Sequence, residues 1–587
     1  MKNFFTSFLG SCLGIFAAIV IGFLILVGIG LSGLVKKDSL SDNTILKINL
    51  NESMPELSGN IQMESPILND IPDGLGLNSV RKLLASAAED EKIKGIVIET
   101  NEVGLGQAGT LSLRTELEKF KESGKFVYAY SDFYGQSAYF LSTVSDSIFL
   151  NPNGMVDLRG FGTMIPYMKD MLDKIGVSMN VFYAGNFKSA TEPFRLSEMS
   201  EYNKIQTRAF LTDMKDILVQ KIADARQISA EQVETAISNF SGKTPQHALE
   251  SKLIDGILYK DEFEKILKTK LGIDEDKKLK YIDLAAYGSH VKEPSESAKE
   301  KIAILYAEGE IAYNSSKSGE INEKKYLKAL EKIKNDKKVK ALVLRVNSPG
   351  GSSFTSDLIW HEIENIKAAG KPVVASFGDY AASGGYYISA GSDYIVSQPN
   401  TLTGSIGVFM MFPDASTLMN DKIGINFDTL KTHPFAAAFS PFNKLTDAEK
   451  EVLQASTLEI YDTFVKKVSD GRKLSIDSTK TIAQGRVWTG RMAKEIGLVD
   501  ELGDIDTAIS KAAALANMDN YRIVEYPSIE DDFMTKILKE VKKAEDPDAT
   551  SKLSAEEKKI LKYFNDVKAL LKVNEPVARL PYIFVEN

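Results

Sequence analysis

The chain has 587 residues, 43% hydrophobic and 26% charged, a composition typical of folded proteins and a length that exceeds a single hydrophobic core. A net charge of −9 without a long Lys/Arg block argues against nucleic acid as a partner. The only cysteine, Cys12, excludes disulfides within the chain, and the four histidines lack metal-ligand spacing. We therefore expect no metal and no cofactor.

The N-terminus predicts a membrane anchor. No charged residue occurs from Asn3 to Val35, and Leu13 to Leu31 is apolar over a length that crosses a hydrocarbon core of about 30 Å. A cleaved secretory signal is the alternative, but its apolar region would be unusually long and no clear cleavage site follows. We expect residues 1–40 to be a tail and a retained transmembrane helix. Lysines flank the span on both sides, so charge does not decide its orientation.

The remaining chain contains a tandem repeat. Ile93–Asn101 matches Val339–Asn347, and Pro193-Phe194 matches Pro441-Phe442, each pair about 246–248 residues apart and in the same order. This similarity predicts an N-terminal repeat over 41–295 and a C-terminal repeat over 296–520. The extension over 521–587 has no match, and we expect it to be helical because Ser554 to Val573 is amphipathic.

Apolar and amphipathic segments alternate in both repeats. In the second repeat, the pattern predicts strands separated by helices, in the order strand Ala303–Tyr306, helix Lys324–Ile333, strand Ala341–Val346, helix Ser356–Ala369 and strand Pro372–Phe377. Nearly continuous apolar strands separated by helices indicate an α/β fold with a parallel sheet flanked by helices. Ligands bind such sheets at the carboxyl ends of the strands.

Glycine pairs follow two of these strands. Gly350-Gly351 follows the second strand, and Ser383-Gly384-Gly385 follows the third, before a predicted helix. Paired glycines let backbone N–H groups approach a ligand closely, as an oxyanion hole requires. Ser383 is therefore a candidate nucleophile. Two glycine-rich turns with an incidental serine are the alternative, because short glycine motifs are weak evidence.

Comparison of the repeats indicates the base. Aligned on Pro-Phe, Lys188 of the first repeat corresponds to Ala436 of the second, so only the first has the lysine and only the second keeps both glycine pairs. Ser137 lies near the position equivalent to Ser383 but lacks the glycines. Because only roughly 0.04% of an ordinary lysine is neutral at pH 7, Lys188 must be buried to act as a base. His433 is the competing candidate, with an ordinary loop histidine the simpler interpretation.

Four motifs in this order resemble the long, tandem-repeat form of the signal peptide peptidase A family. They are Asn-Ser-Pro-Gly-Gly at 347–351, Ala-Ser-Gly-Gly-Tyr at 382–386, Thr-Gly-Ser-Ile-Gly at 403–407 and Asn-Phe-Lys-Ser-Ala-Thr-Glu-Pro-Phe at 186–194. The resemblance covers about residues 45 to 515.

The resemblance implies two ClpP/crotonase-like repeats in a bacterial protein of the cytoplasmic membrane, with the catalytic part outside the cytoplasm, in the periplasm. It also implies a homotetramer that degrades remnant signal peptides. The site residues it implies are the nucleophile Ser383, the general base Lys188, the oxyanion donors Gly350, Gly351 and Gly384, and Ser405, which would orient the lysine.

The sequence is compatible with three functions. We expect a membrane-bound serine endopeptidase that hydrolyses apolar peptides through an acyl-enzyme. A crotonase-type acyl-CoA hydratase or isomerase would use similar backbone donors, but it would need acidic residues at the strand ends and leaves the anchor unexplained. A catalytically inactive scaffold is the third alternative.

Overall fold

A computed structural model describes residues 40–59, 75–291, 298–315, 317, 319–527 and, for the backbone alone, 577–579. The chain divides into two compact units, Met1–Asp42 with Asp531–Lys552, and Asn43–Glu530 with Leu553–Asn587. Every element below belongs to the second unit. Within the described ranges, no helix combines the length and apolarity needed to cross a membrane. The predicted anchor at Leu13–Leu31 and the predicted helix at Ser554–Val573 lie outside these ranges.

The first repeat contains a six-stranded parallel sheet in the order β6-β4-β3-β2-β1-β7. Its strands are β1 Thr44–Ile48, β2 Ile93–Ile98, β3 Phe126–Gly135, β4 Ser147–Asp157, β6 Gly256–Ile257 and β7 Lys280–Asp283. Its helices are α1 Leu77–Glu89, α2 Gln107–Glu122, α3 Gln136–Ser142, α4 Lys169–Ile175, α5 Glu192–Arg195, α6 Glu201–Arg226, α7 Ala230–Ser238, α8 Pro245–Glu250, α9 Lys260–Leu271 and α10 Leu284–Gly288.

The second repeat contains an eight-stranded sheet with the path β17-β15-β13-β11-β8-β19, to which β14 and β18 add beside β13. Its strands are β8 Lys301–Glu308, β11 Val339–Ser348, β13 Val373–Ala382, β14 Tyr394–Ser397, β15 Leu402–Gly404, β17 Val487–Thr489, β18 Glu501–Leu502 and β19 Arg522–Tyr526. Its helices are α11 Glu323–Asn335, α12 Ser353–Ala368, α13 Gly384–Ser389, α14 Asp447–Arg472, α15 Ile476–Ile482, α16 Gly490–Glu495 and α17 Ile505–Leu515.

The central strands of this sheet are covered on both faces, as their continuous apolar sequence predicts. In β11, Leu342 and Leu344 pack into one hydrophobic cluster with residues of α11 and α12. The alternate residue Val343 packs into a second cluster with residues of α17. Since successive side chains of a strand point to opposite faces, two helical layers enclose the sheet. The prediction of an α/β fold with parallel sheets is confirmed.

A third sheet joins the two repeats. Its order is β10-β9-β12-β20-β16-β5, with β5 Ser178–Tyr183, β9 Ile311–Ala312, β10 Ile321–Asn322, β12 Gly350–Ser352, β16 Phe409–Asp414 and β20 Val577–Arg579. β5 of the first repeat pairs antiparallel with β16 of the second over six residues, from Phe409↔Tyr183 to Asp414↔Ser178. This pairing fixes the loop that follows β5 against the second repeat.

Several hydrogen bonds within the first repeat have an equivalent within the second repeat. Tyr139 Oη donates to the carbonyl of Leu253, and the equivalent Tyr386 Oη donates to the carbonyl of Leu498, both at 2.8 Å. Likewise, the Asp255 side chain accepts from the Ile148 N–H as Asp500 does from Ile395. The internal similarity of the sequence therefore reflects a common local structure.

The extension was expected to be helical, but its first part is a strand. Residues 522–526 form β19, which adds parallel to β8 at the edge of the second sheet, from Arg522↔Lys301 to Tyr526↔Leu305. The sequence RIVEY is short and rich in β-branched and aromatic residues, which suits an edge strand better than a helix. The boundary at 520 consequently cuts off a strand of the second repeat.

One buried ion pair also links the repeats. Glu56 accepts two hydrogen bonds from the Arg345 guanidinium, at 2.8 and 3.0 Å, and both side chains are buried. Arg345 also donates to Ser376 Oγ and to the carbonyl of Phe377. Removal of one partner would leave an uncompensated buried charge, which is costly.

We expect Glu56→Gln to lower the free energy of unfolding by roughly 3 kcal/mol, because the buried Arg345 guanidinium would lose the carboxylate that it contacts directly. Denaturant unfolding measures the change. The matched control is Asp470→Asn in the exposed pair between Lys466 and Asp470, which should cost less than about 1 kcal/mol. Equal effects in the two variants would contradict this prediction.

Candidate active site

Ser383 lies at the junction of β13 and α13, at the carboxyl end of a central strand. Its backbone is in a strained conformation, with φ 56° and ψ −116°, and its N–H donates to the carbonyl of Gly404 at 2.8 Å. Non-glycine residues hold such angles only when the surrounding structure imposes them, and they concentrate at functional sites. The residue is fully buried.

Lys188 lies in the loop after β5 and is held by a loop of the second repeat. The N–H of Phe187 donates to the carbonyl of Gln484 at 2.9 Å. Gly485, with φ 76°, packs directly on the lysine backbone, where an added Cβ would come within 2.7 Å of Lys188 Cβ. Any larger residue at 485 would displace the lysine.

The two repeats place the amine and the hydroxyl in direct contact. Lys188 Nζ is 2.8 Å from Ser383 Oγ, although the residues are 195 positions apart in the chain. The amine also lies 3.1 Å from Ser405 Oγ and 3.2 Å from the Ser405 carbonyl oxygen. All three side chains are fully buried. Ser405 therefore contacts the Lys188 amine through its hydroxyl and its carbonyl oxygen, and these contacts would orient the amine toward Ser383.

Burial lowers the pKa of the Lys188 amine well below its ordinary value of 10.5. A neutral amine has two N–H groups and one lone pair. The two N–H groups can donate to the hydroxyl and carbonyl oxygens of Ser405, which leaves the lone pair for the Ser383 hydroxyl proton. The arrangement therefore suits proton transfer from the serine to the lysine.

Of the three candidate oxyanion donors, Gly351 and Gly384 lie beside one another. A Cβ added to Gly384 would be 3.2 Å from the Gly351 nitrogen. Gly351 has φ 149°, and a Cβ there would come within 2.0 Å of the Ile311 carbonyl oxygen, so no larger residue fits. The N–H of Gly350 donates to Ser348 Oγ at 3.2 Å, which makes it the less suitable donor.

The residues that the sequence offered as alternatives or repeat equivalents, His433, Ser137 and Ala436, have different surroundings. His433 is exposed, and its ring Nδ1 contacts Thr432 Oγ1 at 3.1 Å. Ser137 is buried, and its Oγ accepts a hydrogen bond from Gln107 Nε2 at 3.3 Å. Ala436, the equivalent of Lys188, is exposed.

Gln206 supports the lysine loop but was missed by the sequence comparison. Its Nε2 donates to the carbonyl of Phe187 and to Ser189 Oγ, on either side of Lys188. Its Oε1 accepts from the N–H of Val487 in the second repeat. No spacing motif marks this residue, because its role depends on how α6 packs against β17.

A backbone strand runs beside the candidate oxyanion donors. β20 pairs antiparallel with β12, with Gly351 opposite Ala578, and also with β16 through Phe409 opposite Val577. The chain itself therefore shows that the gap between β12 and β16 accepts one extended antiparallel strand. An extended peptide in this gap would run along Gly350 and Gly351.

One group of acidic side chains among the described residues could be considered for a metal. Oxygen atoms of Glu116, Asp504 and Asp506 lie within 4.8 Å of one another. Arg81 and Lys119 already form ion pairs with this group. These two cations balance two of the three negative charges and contact the carboxylate oxygens directly, so the donor set does not suit a metal ion.

Comparison with known proteins identifies one matching family and several relatives of most of the chain. A sequence profile of Peptidase family S49 matches residues 119–274 and again residues 365–519. Protease 4 of Haemophilus influenzae is 34% identical over 503 residues, which are 84% of this chain and 80% of that protein. The chloroplastic serine protease SPPA of Arabidopsis thaliana is 31% identical over 78% of this chain and 68% of its own. A putative signal peptide peptidase SppA of Enterococcus faecium is 36% identical over 39% of this chain and 68% of its own.

The buried lysine predicts an unusual pH dependence of stability. Unfolding exposes the amine, which regains its ordinary pKa of 10.5 and binds a proton below that pH. Between the lowered pKa and 10.5 the unfolded chain binds more protons than the folded one, so this residue favours unfolding, increasingly as the pH falls through that window.

We expect Lys188→Met to be more stable than the unchanged protein at neutral pH, with a difference that shrinks as the pH rises toward 10.5. Denaturant unfolding at several pH values measures it. Lys466→Met, at an exposed lysine, is the control and should show no such trend. A stability difference for Lys188→Met that is constant with pH would contradict a neutral buried amine.

Proposed function

The chain belongs to peptidase family S49 and is a serine peptidase, and we propose that Ser383 is its nucleophile and Lys188 its general base. The observation that carries this assignment is the 2.8 Å contact between the hydroxyl and an amine whose pKa is lowered by burial. The two groups come from different repeats, so neither repeat alone supplies the pair.

In the proposed reaction, neutral Lys188 takes the Ser383 proton as the serine oxygen attacks the substrate carbonyl carbon. The N–H groups of Gly351 and Gly384 stabilise the resulting oxyanion. Lys188, now an ammonium, gives its proton to the leaving amine, and an acyl-enzyme on Ser383 remains. The neutral lysine then deprotonates a water molecule, which attacks the ester carbonyl carbon. As the bond to the Ser383 oxygen breaks, the lysine returns the proton to that oxygen, and the acid and the free serine are released.

The substrate would bind as an extended strand between β12 and β16. Both neighbours offer backbone hydrogen bonds, which bind a peptide without regard to its sequence. In this position the scissile carbonyl could reach Ser383 while the peptide runs past Gly351. β20 occupies the same gap in the structure, so substrate would have to displace it.

The substrate class we propose is apolar peptides, including signal peptides that remain in a membrane after preprotein cleavage. The name of the Enterococcus faecium relative refers to signal peptides. The apolar run from Leu13 to Leu31 would anchor the protein in the bacterial cytoplasmic membrane, with the catalytic part on the periplasmic side, close to such peptides. By the family resemblance, we further propose ClpP/crotonase-like repeats and a homotetrameric assembly.

We expect a fluorophosphonate probe to label Ser383 and to leave Lys188→Met unlabelled, because the hydroxyl would lack a base. Peptide hydrolysis should fall by about 10³-fold or more in the same variant. Mass spectrometry of the labelled peptide and a turnover assay measure these outcomes. Ser137→Ala, at the repeat-equivalent serine, is the matched control and should keep both labelling and turnover. Turnover that survives in folded Lys188→Met would transfer the base role to another residue.

We also expect deletion of residues 576–587 to lower KM for an extended peptide and to leave kcat unchanged, because substrate would no longer compete with β20. Steady-state kinetics with one peptide substrate measures both values. If KM stays the same, the gap between β12 and β16 is not where the peptide binds.

A further inference from the structure

Glu192 is a buried carboxylate near Lys188 in the chain, and the proposed reaction does not use it. It is the first residue of α5, and 1% of its surface is exposed. Its oxygens accept hydrogen bonds from the Ser200 hydroxyl at 2.6 Å, from the Ser200 N–H at 3.2 Å and from Asn203 Nδ2 at 2.8 Å. The Arg195 guanidinium lies 3.9 Å away, beyond hydrogen-bond distance. A carboxylate is costly to bury, so its position requires a reason.

Two attachments to α6 hold the loop on both sides of Lys188. Gln206 binds the two residues that flank the lysine, and Asn203 binds Glu192, which follows four positions later. Asn203 also joins the two attachments, because its Nδ2 donates to Glu192 while its Oδ1 accepts from Gln206 Nε2 at 3.4 Å. All three side chains are buried. They form a continuous hydrogen-bond chain beside the lysine.

The carboxylate sets the direction of this hydrogen-bond chain. A carboxylate group only accepts hydrogen bonds, whereas an amide side chain has one donor end and one acceptor end. Asn203 therefore turns its nitrogen toward Glu192, which leaves its oxygen for the Gln206 nitrogen. The Gln206 nitrogen in turn faces the carbonyl of Phe187, and its oxygen accepts from the N–H of Val487 in the second repeat. The carboxylate thus supports the orientation in which Gln206 holds the loop.

The second repeat lacks both amides of this chain. α14 is the repeat equivalent of α6, since both helices have 26 residues, begin after a hydroxyl N-cap and end in an arginine that pairs with an aspartate. Counted along the two helices, Asn203 corresponds to Glu449 and Gln206 corresponds to Val452. Neither a carboxylate nor a valine offers the N–H groups that bind the lysine loop.

Glu192 itself also differs between the repeats. By the offset that aligns Lys188 with Ala436, it corresponds to Ser440. Ser440 Oγ accepts from the N–H of Phe442, which is a local contact. The second repeat therefore forms an equivalent helix after an equivalent Pro-Phe segment without this buried carboxylate. The carboxylate and the two amides accompany the lysine and are not needed for the fold of a repeat.

We propose that Glu192 is a positioning residue for Lys188 and that it acts through Asn203 and Gln206. This inference rests on the proposed function, because it concerns the amine that would deprotonate Ser383. By fixing the loop on both sides of the lysine, the hydrogen-bond chain keeps Nζ at 2.8 Å from the hydroxyl. A displacement of a reacting group by about 1 Å can lower a rate by about 10²-fold.

Steady-state kinetics of Glu192→Gln in the full-length protein tests this role. The variant keeps the size of the side chain but replaces one acceptor oxygen by a donor. We expect kcat to fall by roughly 10- to 100-fold, because the amine would be misplaced. KM should stay the same, because the substrate would bind between β12 and β16. Rates are normalised to the folded fraction measured by circular dichroism, and an unchanged kcat in the folded variant would overturn the inference.

Glu449→Gln is the matched control in the second repeat. Glu449 is also buried, and it also accepts from the N–H and the hydroxyl of a helix N-cap residue, here Thr446. Both substitutions therefore weaken the cap of an equivalent helix, but only Glu192 continues into the amides beside the lysine. Glu449→Gln should lower the stability of the protein and leave kcat unchanged. An equal loss of kcat in the two variants would reduce Glu192 to a helix cap and contradict the proposal.

A double-mutant cycle with Gln206→Leu determines whether the two residues act as one unit. If Glu192 acts through Gln206, the double variant should have nearly the same kcat as Gln206→Leu alone. Independent contributions would multiply, and that result would overturn the proposed connection. If Glu192→Gln does not fold, Asn203→Ser interrupts the same chain between the two residues and should give the same loss of kcat at an unchanged KM.

Lys188→Met in the same assay separates this inference from the proposed function. If Lys188→Met loses turnover while folded Glu192→Gln keeps its kcat, the inference fails and the proposed function stands. If Lys188→Met keeps its turnover, the assignment of the base is wrong, and the role of Glu192 fails with it.

Discussion

The contact between Lys188 Nζ and Ser383 Oγ depends on one structural constraint, the antiparallel pairing of β5 with β16. Through this pairing, a strand of the first repeat becomes part of a sheet that also contains the candidate oxyanion loop at β12. Gly485 and Gln206 then fix the backbone on both sides of the lysine. The amine is consequently held in a dry position, and burial rather than a neighbouring charge lowers its pKa.

Buried polar groups carry a cost, and here that cost is tied to the proposed chemistry. A lysine kept neutral in the folded protein opposes folding below its ordinary pKa. The strained backbone of Ser383 adds a further penalty. The surrounding sheets, with their two-sided apolar cores and the Glu56–Arg345 ion pair, must offset both. The same rigid surroundings hold the reacting groups in place, so the proposed site is preorganised by the structure that tolerates its strain.

Duplication explains why the two repeats have diverged in complementary ways. Because β5 pairs with β16 of the second repeat, one lysine and one set of glycine turns are enough to form the proposed site. The equivalent positions of the other repeat hold Ala436 and Ser137, without the amine and without the paired glycines. Hydrogen bonds that support the fold of each repeat, such as those of Tyr139 and Tyr386, are the same in both repeats.

The sequence alone determined the alternation of strands and helices, the repeat, and the candidates Ser383, Lys188 and the glycines. Each of these features leaves either a local sequence pattern or a match between the two repeats. It did not determine that residues 522–526 form an edge strand, that Gly350 donates to Ser348, or that Gln206 holds the lysine loop. These features depend on which segments meet in space. The distance between Lys188 and Ser383 belongs to the same class, since 195 residues separate them and only the packing of one repeat on the other brings them together.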